Sequence, residues 1–543
     1  MRAPLGPGRP LRGDRVHRYV TAWCPHCHAE NPSLAAARRL SGALVEEGGR
    51  LWLQRGCPSH GLVRTLYDEQ PHIVRYLERW QAPTKSHVPD DPANFRPLPD
   101  AYANGLPPTQ TQHTCILLTD VIEHCNLRCP TCFTASGPTL KGVASVDDIL
   151  ANVDARLARE GDRLDVLMLS GGEPTLHPQF ADLLDALVTR PIVRIMVNTN
   201  GLLIAHYDAV LAALREHRTR VEVYLQYDGP DAGASVALRG GDLTRHKDAA
   251  IARLSDAGVF TTLVMTITKG VNDNEIGATV LRALNTPFVG GVALQPVFGS
   301  GRNPGLDPDD RITHGGVLDR LGPQTGGVVT WHDLIGLPCS HPHCASVGYL
   351  LRGDDGAWRS LVGIIGHDRL AEWLALDPDL IANRVADSEL PASLRRIMQT
   401  SLLDLMSEQA ALVHPRTHEL WRNVCTACDL GISTLATLAA GKLPGGEDRL
   451  RRLLAERVKR ITVKPFMDVH TMLEERLTQC CVHVGTRRRD AGADDVHQCA
   501  PFCAVQAWPE LGRQRLGFSA GLDLGPAAVG AVTLRRGGEA SHG

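Results

Sequence analysis

Between about residues 112 and 320 the chain alternates apolar runs with stretches whose apolar positions recur every three or four residues. The runs 115–121, 165–170, 193–198, 221–227, 260–268 and 292–297 are dominated by Val, Ile, Leu and Met, the pattern of strands buried on both faces. Helices are predicted between them. Ser145 opens a Ser-Val-Asp-Asp start that resembles a capping box, and Pro178 opens a helix over 179–189. Further helices are predicted over 206–217, 246–257 and 274–284. Six successive βα units imply an α/β fold: a parallel sheet wrapped by helices, open or closed into a barrel. Ligands of such folds sit beyond the C-terminal ends of the strands, so the residues just after each strand carry the functional information.

The flanks read differently. A Pro- and Asp-rich stretch over 88–108 reads as a linker, closing an N-terminal region of 1–108 before a core of 109–325. A third region, 326–512, mixes helical stretches with eight cysteines. The Gly- and Ala-rich tail, 513–543, is expected to be poorly ordered. The 543 residues carry a net charge of −3, so nucleic acid is not an expected partner. No apolar run approaches the ~18 residues that cross a bilayer, and no secretory h-region is visible. The expected location is the cytoplasm.

In that compartment fifteen cysteines are many, and they are grouped rather than scattered. Disulfides are disfavoured there, so the grouping points to metals or clusters. Directly after the first strand comes Cys125-Asn126-Leu127-Arg128-Cys129-Pro130-Thr131-Cys132. Three thiolates on one short loop can ligate three irons of a cubane and leave the fourth iron open. A structural zinc site or a fully ligated ferredoxin cluster is the alternative, but no fourth ligand follows within the loop. The second strand ends in Gly171-Gly172-Glu173. Two glycines let the backbone approach a ligand, and a carboxylate there can accept hydrogen bonds from an α-ammonium.

These two motifs, one strand apart, resemble the radical S-adenosylmethionine (SAM) superfamily over about 112–300. The resemblance implies a partial (β/α)6 barrel, a 4Fe–4S cluster on Cys125, Cys129 and Cys132, and reductive cleavage of SAM to a 5′-deoxyadenosyl radical. It implies an external reductant, ferredoxin or flavodoxin. It further places SAM contacts at Gly171, Gly172 and Glu173, at Asn200 after strand three, at Asp228 after strand four and at Arg239. Each of the last three has a turn-forming or solvated role as its alternative.

Two knuckles stand near the N-terminus, Cys24-Pro25-His26-Cys27 and Cys57-Pro58-Ser59-His60. Cys24, Cys27, Cys57 and His60 would make a tetrahedral site for zinc, or for iron as in rubredoxin. In the third region Cys339, Cys344, Cys425, Cys428, Cys480, Cys481, Cys499 and Cys503 suffice for two fully ligated 4Fe–4S clusters. One cluster with spare thiols, or a zinc site, is the alternative. Cys115, inside the first strand, is left over and reads as core packing. Leu337-Pro338-Cys339, Lys464-Pro465-Phe466-Met467-Asp468 and Gln479-Cys480-Cys481-Val482-His483 are similar to one subgroup, which includes the tetraether lipid synthases and the class D radical SAM methylases. That subgroup implies auxiliary clusters near the active site. It also implies C-methylation or C–C bond formation on a small molecule or lipid. A peptide-modifying maturase with auxiliary clusters is the competing reading, and the irregular cysteine spacing speaks against it.

Overall fold

The six apolar runs become six parallel strands whose order in the sheet follows their order in the chain. The computed structural model describes residues 15–80, 87–303, 306–337, 340–353, 355–368, 446–488, 496–513 and 519–520. Ahead of the core, β1 (Arg15–Ala22), β2 (Leu40–Glu47), β3 (Arg50–Cys57) and β4 (Gly61–Asp68) form an antiparallel meander. The alternation of buried and exposed positions along β3 fits a sheet packed on one side.

The core begins at β5 (Ile116–Ile122), against which the short β6 (Gly142–Val143) pairs antiparallel. Then come β7 (Leu164–Gly171), β8 (Ile192–Thr199), β9 (Val221–Gln226), β10 (Thr261–Ile267) and β11 (Val289–Pro296). From β5 to β11 these strands, β6 apart, pair parallel in sequence order. The Ser145 hydroxyl caps helix Val146–Arg159 by accepting the Asp148 N–H at 3.1 Å. The helix expected over 206–217 is instead two, Leu202–His206 and Asp208–Glu216, broken where Tyr207 turns extended. An unforeseen helix, Ala232–Arg239, starts at Asp231, whose carboxylate caps the Ala234 N–H.

The third region is built into the same sheet. Its strands are β12 (Ile335–Gly336), β13 (Ser346–Arg352), β14 (Trp358–Ser360), β15 (Val458–Val463), β16 (Val482–Arg488) and β17 (Val496–Pro501). β15 adds parallel to β11 and β16 adds parallel to β5, so both edges of the six-stranded core are covered. The strand path runs from β12 at one end to β17 at the other; the barrel is curled and open.

The N-terminal meander rests on late parts of the chain. Trp23 meets Trp508 edge-on at 5.6 Å, and His28 Nε2 contacts the Ala507 carbonyl at 2.7 Å. Leu34 N–H donates to Glu510, and Arg39 pairs with Glu474. None of the described helices is long and apolar enough to cross a membrane.

Candidate functional site

At the C-terminal ends of the core strands lies a cavity of about 150 Å³ lined by Cys125, Cys129 and Cys132. No fourth thiol and no imidazole lines it among the described residues. Three thiols around one space fit a cubane with an open iron. Burial pushes the Cys125 and Cys129 thiols up; Glu173 adds to the effect at Cys125, while Arg239 acts the other way at Cys129. Uncharged thiols in so dry a place become thiolates by binding a metal.

Arg302, which sequence reasoning did not single out, holds the loop in shape. Its backbone pairs with Cys132 in both directions, at 2.8 and 2.9 Å. Its guanidinium donates to the carbonyls of Cys129, Ala135 and Ser136 at 3.0, 2.5 and 2.5 Å. Its place just past the end of β11 was the available signal.

Gly171 and Gly172 bring the end of β7 against this loop. A Cβ on Gly171 would stand 2.3 Å from the Ile122 carbonyl oxygen, and one on Gly172 would stand 2.0 Å from that of His124. Gly171 also has φ +116°, open to glycine and strained for other residues. The close approach expected toward a ligand is thus also a close approach to the cluster loop. Glu173 is 1% exposed. Its Oε1 accepts from Thr175 N–H at 3.1 Å and from the Thr175 and Thr199 hydroxyls at 2.6 Å each. Its Oε2 accepts from Asn200 N–H at 2.7 Å. Burial raises its pKa above the usual carboxylate value, with these donors opposing the rise.

Asn200 reaches the cluster loop, donating from Nδ2 to Asn126 Oδ1 at 2.7 Å. Asp228 and Arg239, assigned separately in the sequence, meet each other: Arg239 forks onto the carboxylate at 2.6 and 2.7 Å. Burial works against the guanidinium charge and Asp228 more than offsets it, so the pKa of Arg239 ends above its ordinary value. Arg239 also donates to Gln226 and Thr266. Buried Lys247, a further unforeseen member, donates to the Asn200 carbonyl at 2.5 Å.

Two other sets of thiols stand apart from the loop. Cys24, Cys27, Cys57 and His60 have their ligand atoms within 4.8 Å of one another. His60 Nδ1 lies 3.6, 3.4 and 3.5 Å from the three sulfurs, while its Nε2 faces Glu30 at 3.0 Å. That is the donor set and the orienting carboxylate of a tetrahedral mononuclear site. In the third region Cys344, Cys480, Cys481 and Cys503 line a second cavity of about 140 Å³. Arg476 Nε donates to Cys344 Sγ at 3.3 Å, and Cys480 lies in the electrostatic field of Cys503 and Cys344. Cys499 does not join them; its sulfur accepts from Arg156 at 3.0 Å, on the face of β17 turned toward helix Val146–Arg159. Cys339, Cys425 and Cys428 lie outside the described residues. The two cavities share a wall that includes Lys464, Phe466, Val482 and Phe502, with the two phenyl rings 4.6 Å apart.

Residues 120–283 match the model of the radical SAM superfamily, and residues 16–69 match that of the HMPTM N-terminal zinc ribbon domain. The chain is 24% identical over 516 residues to the 7,8-dihydro-6-hydroxymethylpterin dimethyltransferase of Methanocaldococcus jannaschii, covering 90% of this chain and 93% of that protein. It is 33% identical over 164 residues to the GTP 3′,8-cyclase of Cronobacter sakazakii, covering 29% of this chain and 47% of that one. Among solved structures, a radical SAM methyltransferase from Sphaerobacter thermophilus aligns at a TM-score of 0.30 and 14% identity, covering 53% of this chain and 70% of that one. The stretch 120–283, which carries the three-thiol loop and the glycine pair, is a radical SAM superfamily domain.

Proposed function

We propose that the protein is a radical SAM methyltransferase acting on carbon of a small polar ring compound of the pterin kind. The observation that carries this reading is the pair of thiol-bearing cavities separated by one shared wall. In this reading Cys125, Cys129 and Cys132 hold a 4Fe–4S cluster. Gly171, Gly172, Glu173, Asn200 and the Asp228–Arg239 pair shape the SAM pocket. Cys344, Cys480 and Cys503 hold an auxiliary cluster across the Phe466–Phe502 wall, and the N-terminal knuckles hold zinc or iron. When bound, cluster and SAM supply reductive cleavage of a carbon–sulfur bond and a radical able to abstract hydrogen, with electrons from a ferredoxin- or flavodoxin-class donor.

The chain's own groups favour a polar substrate over a hydrocarbon chain. The strand interiors bring Arg194 to 2.6 Å and Arg460 to 3.3 Å of the Glu222 carboxylate, and Lys464 lines both cavities. Lipid against such buried charges would strip them of hydration without replacing it. The full-length similarity to a pterin dimethyltransferase supports the same choice.

The test is anaerobic turnover with SAM, a strong reductant, cell extract and 7,8-dihydro-6-hydroxymethylpterin, followed by mass spectrometry. A pterin heavier by one or two methyl groups is expected, together with 5′-deoxyadenosine. Pterin returned unchanged beside abundant 5′-deoxyadenosine would overturn the substrate assignment and leave the radical chemistry standing.

A further inference from the structure

Cys115, the odd cysteine of the sequence, does not sit in plain core packing. Its sulfur lies 3.4 Å from His113 Nε2, and Asp165 Oδ2 approaches the same nitrogen at 3.6 Å. The three ligand atoms fall within 4.8 Å of one another. His113 and Cys115 just precede β5, and Asp165 is the second residue of β7. The trio therefore lies at the foot of the barrel, at the opposite end of the strands from the Cys125 loop.

We propose that His113, Cys115 and Asp165 form a mononuclear site for a divalent metal, zinc or ferrous iron, with its fourth position facing the cavity that also holds Cys344, Cys480 and Cys503. The distances carry the first part of the argument. Ligands at about 2.0–2.3 Å in a tetrahedron stand roughly 3.3–3.8 Å apart. The trio shows 3.4 and 3.6 Å, the same range as the sulfur–nitrogen distances in the N-terminal knuckles.

The tautomer carries the second part. The backbone N–H of His113 donates to the Gln112 side chain at 3.1 Å, so the accepting atom there is the amide oxygen. The same oxygen takes His113 Nδ1 at 2.7 Å. Nδ1 then carries the hydrogen, and in the neutral ring Nε2 presents a bare lone pair toward the carboxylate and sulfur. Lone pair facing carboxylate is repulsive unless a cation lies between them. A ligating histidine held by its other nitrogen is the usual orienting arrangement of metal sites. Arg163 Nε, 3.8 Å from Asp165 Oδ1, leaves Oδ2 turned to the trio. All three residues line the 140 Å³ cavity, which gives the fourth position room for water or a substrate donor atom. A nitrogen–sulfur–oxygen set suits borderline divalent ions over calcium or magnesium.

The full-length protein, produced in zinc-supplemented medium and purified anaerobically, tests this by elemental analysis beside Cys115→Ser, His113→Ala and Asp165→Asn. Wild type should hold about one more zinc or non-cluster iron per chain than each variant, the knuckle metal remaining in all. Asp165→Asn preserves shape at a partly exposed position, so it answers the question even where Cys115→Ser fails to fold. Gln112→Ala should release the same equivalent to a chelator about tenfold more readily, as expected for loss of an orienting partner. Equal metal content in wild type and all folded variants would overturn the site, leaving an imidazole–carboxylate contact beside a buried thiol.

Discussion

Glu173 sits almost wholly buried with four hydrogen bonds and, among the described residues, no cation in contact. Its carboxylate ties the end of β7 to the end of β8, and through Asn200 to the cluster loop. Removing it strands two backbone N–H groups, those of Thr175 and Asn200. Glu173→Ala should therefore cost about 1–3 kcal/mol of stability and weaken SAM binding by roughly ten- to a hundredfold. Calorimetric titration and thermal melting read the two effects; unchanged SAM affinity would confine Glu173 to holding the loops. The residue was legible as part of a Gly-Gly-Glu motif. Its pairing with Thr199 and Asn200 was not, because they lie a full βα unit further along and only the parallel register of β7 and β8 brings them close. Arg239 shows the same limit: its forked pairing with Asp228 depends on a short helix whose weak apolar pattern did not announce it.

Between elements, Arg302 joins the end of β11 to the loop after β5. Arg302→Ala leaves three loop carbonyls without their charged donor. Iron should then leave the core site about tenfold faster under chelator, read as bleaching of the cluster absorbance. Asp68 joins β4 to helix His314–Thr325, accepting the Gly315 N–H at 2.9 Å and the Gln70 N–H at 2.8 Å. Burial raises its pKa from 3.8 to about 7. Below about pH 4 it is neutral folded and unfolded. Between about 4 and 7 the unfolded chain gives up a proton that the folded chain keeps, so this group's contribution to stability falls as pH rises. Asp68→Asn should remove that slope, worth up to about one proton, from urea midpoints measured across the window, at a cost of ~1 kcal/mol for one lost hydrogen bond. The elements themselves were legible wherever burial imposed a period. The break at Tyr207 was not, since the apolar positions on either side of it continue in helical phase.

For the whole molecule, the core strands do not complete the sheet; β15 and β16, drawn from far down the chain, cover its two edges. A chain cut after residue 325 should expose the edges of β5 and β11 and the apolar faces beside them, and accumulate as aggregate. Soluble yield against the full chain checks this; a folded, SAM-cleaving fragment would refute it. A core ending near 325 was the natural reading because βα repetition stops there, and no local pattern tells a late strand which edge it will join. The docking of the N-terminal meander on Ala507, Trp508 and Glu510 has a consequence in time. A segment made early finds its resting place on one made much later. The knuckle can take up its metal early in synthesis, whereas the cavity around Cys480 and Cys503 closes only once those much later residues have been made. Its thiols thus have a loading interval that ends when the two termini of the fold meet.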